Sequence, residues 1–133
     1  MPNTLLKHAE RQGVITGFFA LTLANFVAAA NVVKIALPVG AIVTGGHLNV
    51  KTAANTTGTD VLTIGDSGSA ARYLAATTIK TAGRTALTLT GFTHTTQLEL
   101  LLTRTAADTA ATALEVEVVV TYLRNDRCTE FQG

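Results

Sequence analysis

The stretch of this sequence with the most chemistry to offer is Gly65-Asp66-Ser67-Gly68-Ser69, set between the apolar run Val61–Ile64 and the pair Arg72-Tyr73. A glycine loop after a strand can cradle phosphate, but a P-loop needs Gly-x-x-x-x-Gly-Lys-Ser/Thr opening a helix. Here Gly68 is followed by Ser69-Ala70-Ala71-Arg72, without the lysine, and the next pattern reads as a strand. A Rossmann fingerprint fails for the same reason. A nucleophile elbow needs Gly-x-Ser-x-Gly and then a helix, and Ser67 in Asp-Ser-Gly has neither. What remains is a structural turn. Gly65 and Gly68 are expected to supply positive φ angles, and Asp66 and Ser67 to bond nearby backbone amides. Arg72, six residues after Asp66, is expected to close the loop as a two-pronged carboxylate clasp.

The other chemically capable side chains form no constellation. His8, His47 and His94 are far apart, and none has a second histidine or a carboxylate beside it at metal-ligand spacing. Glu115 and Glu117 share one face of a strand, as a catalytic carboxylate pair might, but that face reads as solvated. Thr56-Thr57 and Thr95-Thr96 are explained by loops and exposed strands as well as by a ligand surface. The single cysteine, Cys128, excludes an internal disulfide framework and a Cys-Cys metal knuckle. No catalytic residue, metal or cofactor is expected.

The elements that would position these residues are strands. Val14–Leu23 alternates, with Ile15, Phe19, Leu21 and Leu23 on one face and Thr16, Ala20 and Thr22 on the other. That period argues against reading the apolar run Val14–Val33 as a spanning helix, or as an export signal cleaved near Ala28-Ala29-Ala30. Val32–Leu37 follows, with Val33, Ile35 and Leu37 inward and Lys34 outward, closed by a turn at Pro38 and Gly40. Ala41–Thr52 is long and broken at Gly45-Gly46, the mark of a bulge or a sheet-crossing bend. After Val61–Ile64, the segments Tyr73–Ile79 and Thr85–Thr90 flank Ala82-Gly83 as a hairpin candidate. Gln97–Thr103 carries leucines at 98, 100 and 102. In the last strand Leu114, Val116, Val118, Val120 and Tyr122 point inward, with Glu115, Glu117 and Thr121 outward. About eight strands and few helical patterns predict an all-β antiparallel sandwich, a jelly roll, spanning residues 14–133 as one domain. Residues 1–13 are polar, lack strand patterning, and form an arm that orders only against something else.

Composition bounds the partners. The chain has 133 residues, ten basic and nine acidic side chains scattered singly, and a net charge of +1. Without a basic stripe, nucleic acid has no electrostatic footprint to hold. Only 14% of residues are charged while 47% are hydrophobic, and 24 are threonine, which suits a surface packed against neighbours.

Residues 32–91 carry Leu37-Pro38-x-Gly40-Ala41-x-Val43, then Leu62-x-Ile64-Gly65-Asp66, Arg72-Tyr73-Leu74 and Ala82-Gly83-Arg84-Thr85-Ala86-Leu87. This run resembles the capsid cement or decoration proteins of tailed bacteriophages, which have jelly-roll folds. The match spans 60 of 133 positions, and its motifs are turn motifs. The resemblance implies structural duties for Pro38, Gly40, Gly65, Asp66, Gly68, Arg72 and Tyr73, and no catalytic residues. It implies a virion protein on the outer surface of the capsid. Its partners would be the major capsid protein and further copies of itself as a dimer or trimer, with no membrane. The arm lies outside the match, and its Leu5, Leu6, Lys7 and Arg11 are the candidates for shell contact. The competing reading is a fibre, tail or secreted module that grips host glycans. Such sites need aromatic platforms, and the chain has five phenylalanines, two tyrosines and no tryptophan.

Overall fold

The computed structural model describes residues 14–28, 32–92, 98–106 and 111–124. Its elements are β1 (Ile15–Thr22), α1 (Leu23–Ala28), β2 (Val32–Leu37), β3 (Ala41–Thr52), β4 (Asp60–Gly65), β5 (Leu74–Thr78), β6 (Gly83–Ala86), β7 (Leu98–Ala106) and β8 (Glu115–Arg124). They form two four-stranded sheets, ordered β1-β8-β3-β6 and β2-β7-β4-β5. The antiparallel pairs β1·β8, β2·β7, β3·β6 and β4·β5 are those of one long ribbon folded at the β4–β5 turn. Pairs β3·β8 and β4·β7 then join the rolled ribbon to itself. An eight-stranded sandwich wound in this order is a jelly roll.

Period-two patterning decides which side chains enter the core. Val116, Val118 and Val120 of β8 are fully buried and face Leu100 and Leu102 of β7 and Leu62 and Ile64 of β4 within one cluster. Each such aliphatic side chain contributes about 1.5–3 kcal/mol by leaving water. In β3 the buried residues change parity, from Ala41 and Val43 to Leu48 and Val50. A bulge between Val43 and Gly45 absorbs the extra residue. Without it, a one-residue slip would turn Leu48 and Val50 to solvent.

Two sequence expectations need correction. Leu23 does not extend the first strand; it opens the six-residue helix α1. Asn25 sets that boundary by accepting hydrogen bonds from the Thr22 amide (2.8 Å) and hydroxyl (3.3 Å), a reach back from the third helical position to the cap. The helix places Phe26 fully in the core. The described residues of the run Val14–Val33 form a strand, a short helix and the start of β2, and no helix among the described residues is long and apolar enough to cross a membrane.

The segments flanking Ala82-Gly83 do not form a hairpin. β5 pairs with β4 in one sheet and β6 with β3 in the other. Strand patterning gives the inward face but not the hydrogen-bonded partner. The hairpin of the roll is instead β4–β5, and its connection is the Gly65–Tyr73 stretch. That loop, the β2–β3 turn and the start of β1 lie at one end of the sandwich, because Gly65 faces Leu101, Ala41 faces Arg124 and Ile15 faces Tyr122. Asp60, opposite Ala106, lies at the other end.

Candidate functional site

Strand β4 is bracketed by two carboxylate–guanidinium clasps, Asp66–Arg72 just beyond its last residue and Asp60–Arg104 at its first. The Asp66 clasp organises the hairpin connection. Asp66 Oδ1 accepts the amides of Gly68 (2.9 Å) and Ser69 (2.8 Å), while the Asp66 amide donates to the Ser69 carbonyl (2.9 Å). Arg72 Nε donates to Oδ2 at 2.5 Å and Nη2 to Oδ1 at 3.3 Å. The guanidinium also stacks 3.8 Å from the centre of the Phe92 ring. Burial alone would raise the Asp66 carboxyl. The Arg72 hydrogen bond, the Ser69 amide, the Arg72 charge and the Gly68 amide together outweigh it and hold the group below the usual carboxylate value. Both carboxylate oxygens of Asp66 are thus engaged in holding the loop closed.

The glycines act differently from expectation. Neither Gly65 nor Gly68 has a positive φ. Gly65 is required because an added Cβ would lie 2.1 Å from the Ser69 carbonyl oxygen, inside the backbone of the loop. At Gly68 the same atom would crowd Arg72 Nη2 at 3.2 Å. The positive φ belongs to Gly40, at 81°, in the turn where the Ala41 amide donates to the Pro38 carbonyl at 3.2 Å. This is the third position of a type II turn. Tyr73 is fully buried, and its amide donates to Ile64 at 2.9 Å. Burial, then the Asp66 charge, pushes its hydroxyl above the ordinary tyrosine value, against Arg72 and a hydrogen bond with Thr90.

The second clasp was not singled out from sequence. Arg104 Nε donates to Asp60 Oδ1 at 2.9 Å, Nη2 donates to Oδ2, and the Thr56 hydroxyl adds a 3.3 Å bond to Oδ2. Their side chains are 4% and 0% exposed, so both charges are out of water. A signal existed in the chain. Arg104 continues the inward series Leu100, Leu102, and Asp60 precedes Leu62 and Ile64 by the same period. Charged residues in phase with two buried stripes need each other.

The remaining candidates have structural partners, and Thr56, expected in a loop or on an exposed strand, is buried. Glu115 and Glu117 flank Lys51 at 3.4 and 3.3 Å, and Asn49 donates to Glu117 at 3.3 Å. Hydrogen bonds to Glu117 and Glu115, then their charges, raise the Lys51 ammonium pKa. On this outer face of β8 and β3 one ammonium is shared by two carboxylates. Thr56 serves Asp60, and His47 sits in β3 opposite Val119. Among the described residues no three histidine, cysteine or acidic side chains form a metal cluster. Leu5, Leu6, Lys7, His8, Arg11, His94, Thr95-Thr96 and Cys128 lie outside the described residues, as do Ala29 and Ala30.

The fold has counterparts among solved structures. The chain superposes on one from the cyanophage Pam1 capsid asymmetric unit with a TM-score of 0.66 and 28% identity, covering 84% of this chain and 85% of that one. It is also similar to a chain in the capsid of Ralstonia phage GP4, with a TM-score of 0.67, 19% identity, and 85% of each chain covered. A third likeness is to the acid-stable capsid of the Helicobacter pylori bacteriophage KHP30, with a TM-score of 0.62, 16% identity, and 85% and 89% covered. No family model and no curated relative matches the sequence. The resemblance read from residues 32–91 and the three-dimensional likeness thus point to the same class, structural proteins of phage capsids.

Proposed function

We propose that this chain is a structural protein of a phage head, and specifically a cement protein that seats on the outer surface of the assembled shell. The observation that carries the reading is the likeness to the Pam1 capsid chain, which extends over 84% of the molecule at 28% identity. The internal design agrees with it. Polar residues inside the sandwich close loops and fasten strands, and the carboxylates on the outer face of β8 are tied to Lys51. A cement protein acts by linkage: it binds the assembled shell better than its separated parts, and so raises the free energy of disassembly. Individually weak copies suffice when they are multivalent, which favours a homo-oligomer bridging several capsid subunits. Residues 1–13 serve as the anchor, with Leu5 and Leu6 as an apolar contact and Lys7 and Arg11 as charged ones.

The test is co-sedimentation of the full chain, and of a chain lacking residues 1–12, with phage shells assembled without this protein. The full chain is expected to bind and to raise the temperature at which shells open, and the shortened chain to bind more weakly. Absence of binding by the full chain removes the cement reading.

A further inference from the structure

The described residues expose five large hydrophobic side chains: Val14, Phe18, Val39, Leu89 and Phe92, between 42% and 63% accessible. Phe18 stands on the outer face of β1. The other four converge on one end of the sandwich from three segments, Leu89 and Phe92 sharing the one that follows β6. Val14 precedes Ile15, which faces Tyr122 at the last turn of the β1·β8 pair. Val39 is in the Pro38–Ala41 turn, beside Arg124. Leu89 follows Thr88, whose amide donates to the Tyr73 carbonyl at 2.7 Å. Phe92 is held under Arg72. This is the end with the β4–β5 hairpin, where the formal charges Asp66 and Arg72 neutralise each other. The Lys51–Glu115–Glu117 group and Lys80 lie toward the other end and the Asp60–Arg104 pair is buried, while half-buried Arg124, opposite Ala41, and the exposed Lys34–Glu99 ion pair lie toward this one.

Residues 1–13 join the chain at Val14 and residues 125–133 join it at Arg124, both at this end of sheet β1-β8-β3-β6. We infer that the Val14–Val39–Leu89–Phe92 end is the base on which the molecule sits, pressed against an apolar area of the phage shell. The inference rests on the cement reading: an arm at residues 1–13 that grips the shell brings this end, and not the opposite one, against it. An apolar patch assembled from three separate segments matches a partner surface rather than an ordinary monomer face.

The experiment measures binding of full-length Val39→Asp and Leu89→Asp to shells assembled without the protein, with Ala82→Asp, at the opposite end, as control. Both test positions are exposed, so far-UV circular dichroism and melting are expected to match the wild type. Affinity is expected to fall about tenfold or more for each, while Ala82→Asp binds normally. Should either aspartate variant misfold, Val39→Ser and Leu89→Ser carry the same reading with a smaller loss. Unchanged binding by the Val39 and Leu89 variants overturns the inference and leaves the cement reading standing. Loss of self-association with shell binding intact also overturns it, and makes a second copy the occupant. A wild type that binds no shells overturns both.

Discussion

At the scale of single residues, the two clasps differ in how far they are desolvated, and that sets the expected cost of breaking them. Asp66–Arg72 keeps some water, so Arg72→Ala is expected to destabilise by about 1–3 kcal/mol, the usual range for a charge-assisted bond. Asp60–Arg104 is closed off, and removing one partner strands the other charge. Arg104→Met is expected to cost about 3–5 kcal/mol, whereas Asp60→Leu combined with Arg104→Met should recover most of it. Denaturant melts of the single and double variants check both statements, and a double variant no better than the single one contradicts the second. Acid titration separates Asp66 further. Its carboxyl is depressed in the folded protein, so its contribution is present above the unfolded value near 4 and is lost as pH falls through the folded one. The melting-temperature gap between wild type and Asp66→Asn should therefore be wide at pH 6 and close toward pH 2. Tyr73 behaves in the opposite sense. Its raised hydroxyl stabilises below the unfolded value near 10, and that contribution is lost as pH rises through the folded one.

At the scale of elements, the hairpin connection depends on one close approach. Gly65→Ala drives a methyl group into the Ser69 carbonyl and is expected to lower stability by about 1–3 kcal/mol, more than Gly68→Ala, whose neighbour is a side chain that can shift. Thermal melts of the two variants decide it, and equal melting temperatures would contradict the account. The same elements show what the sequence makes legible. Alternation in β2, β7 and β8 names the buried residues, because a strand lying on a core has only two faces. The break at Gly45-Gly46 announces the bulge in β3. Pairing partners are not legible in that way: the β5–β6 boundary looks like a hairpin, although the two strands belong to different sheets. Helix α1 was hidden because its cap is an asparagine reaching back to Thr22 rather than the usual glutamate. The Asp60–Arg104 clasp was missed because it joins strands 44 residues apart. Its only trace is a pair of charges in register with buried leucines.

At the scale of the whole molecule, the far-UV spectrum should be that of a β protein with less than about a tenth helix, since α1 is the one helix among the described residues. Light scattering at micromolar concentration is expected to report an oligomer, because a chain with 14% charged and 47% hydrophobic residues suits a surface packed against further copies. A clean monomer would contradict the proposed self-association. The winding of the roll also has a consequence for how the protein is made. β8, the last strand in chain order among the described residues, sits between β1 and β3 as an inner strand of its sheet. At roughly 5–20 residues per second, β1 leaves the ribosome several seconds before its partner exists. It carries no charged residue and no proline to discourage other pairings. A nascent chain arrested before Glu115 should therefore display an uncharged, unpaired strand. It should be held by general chaperones or aggregate, and emergence of the residues from Glu115 onward, which supply β8, should act as the switch to the paired sheet.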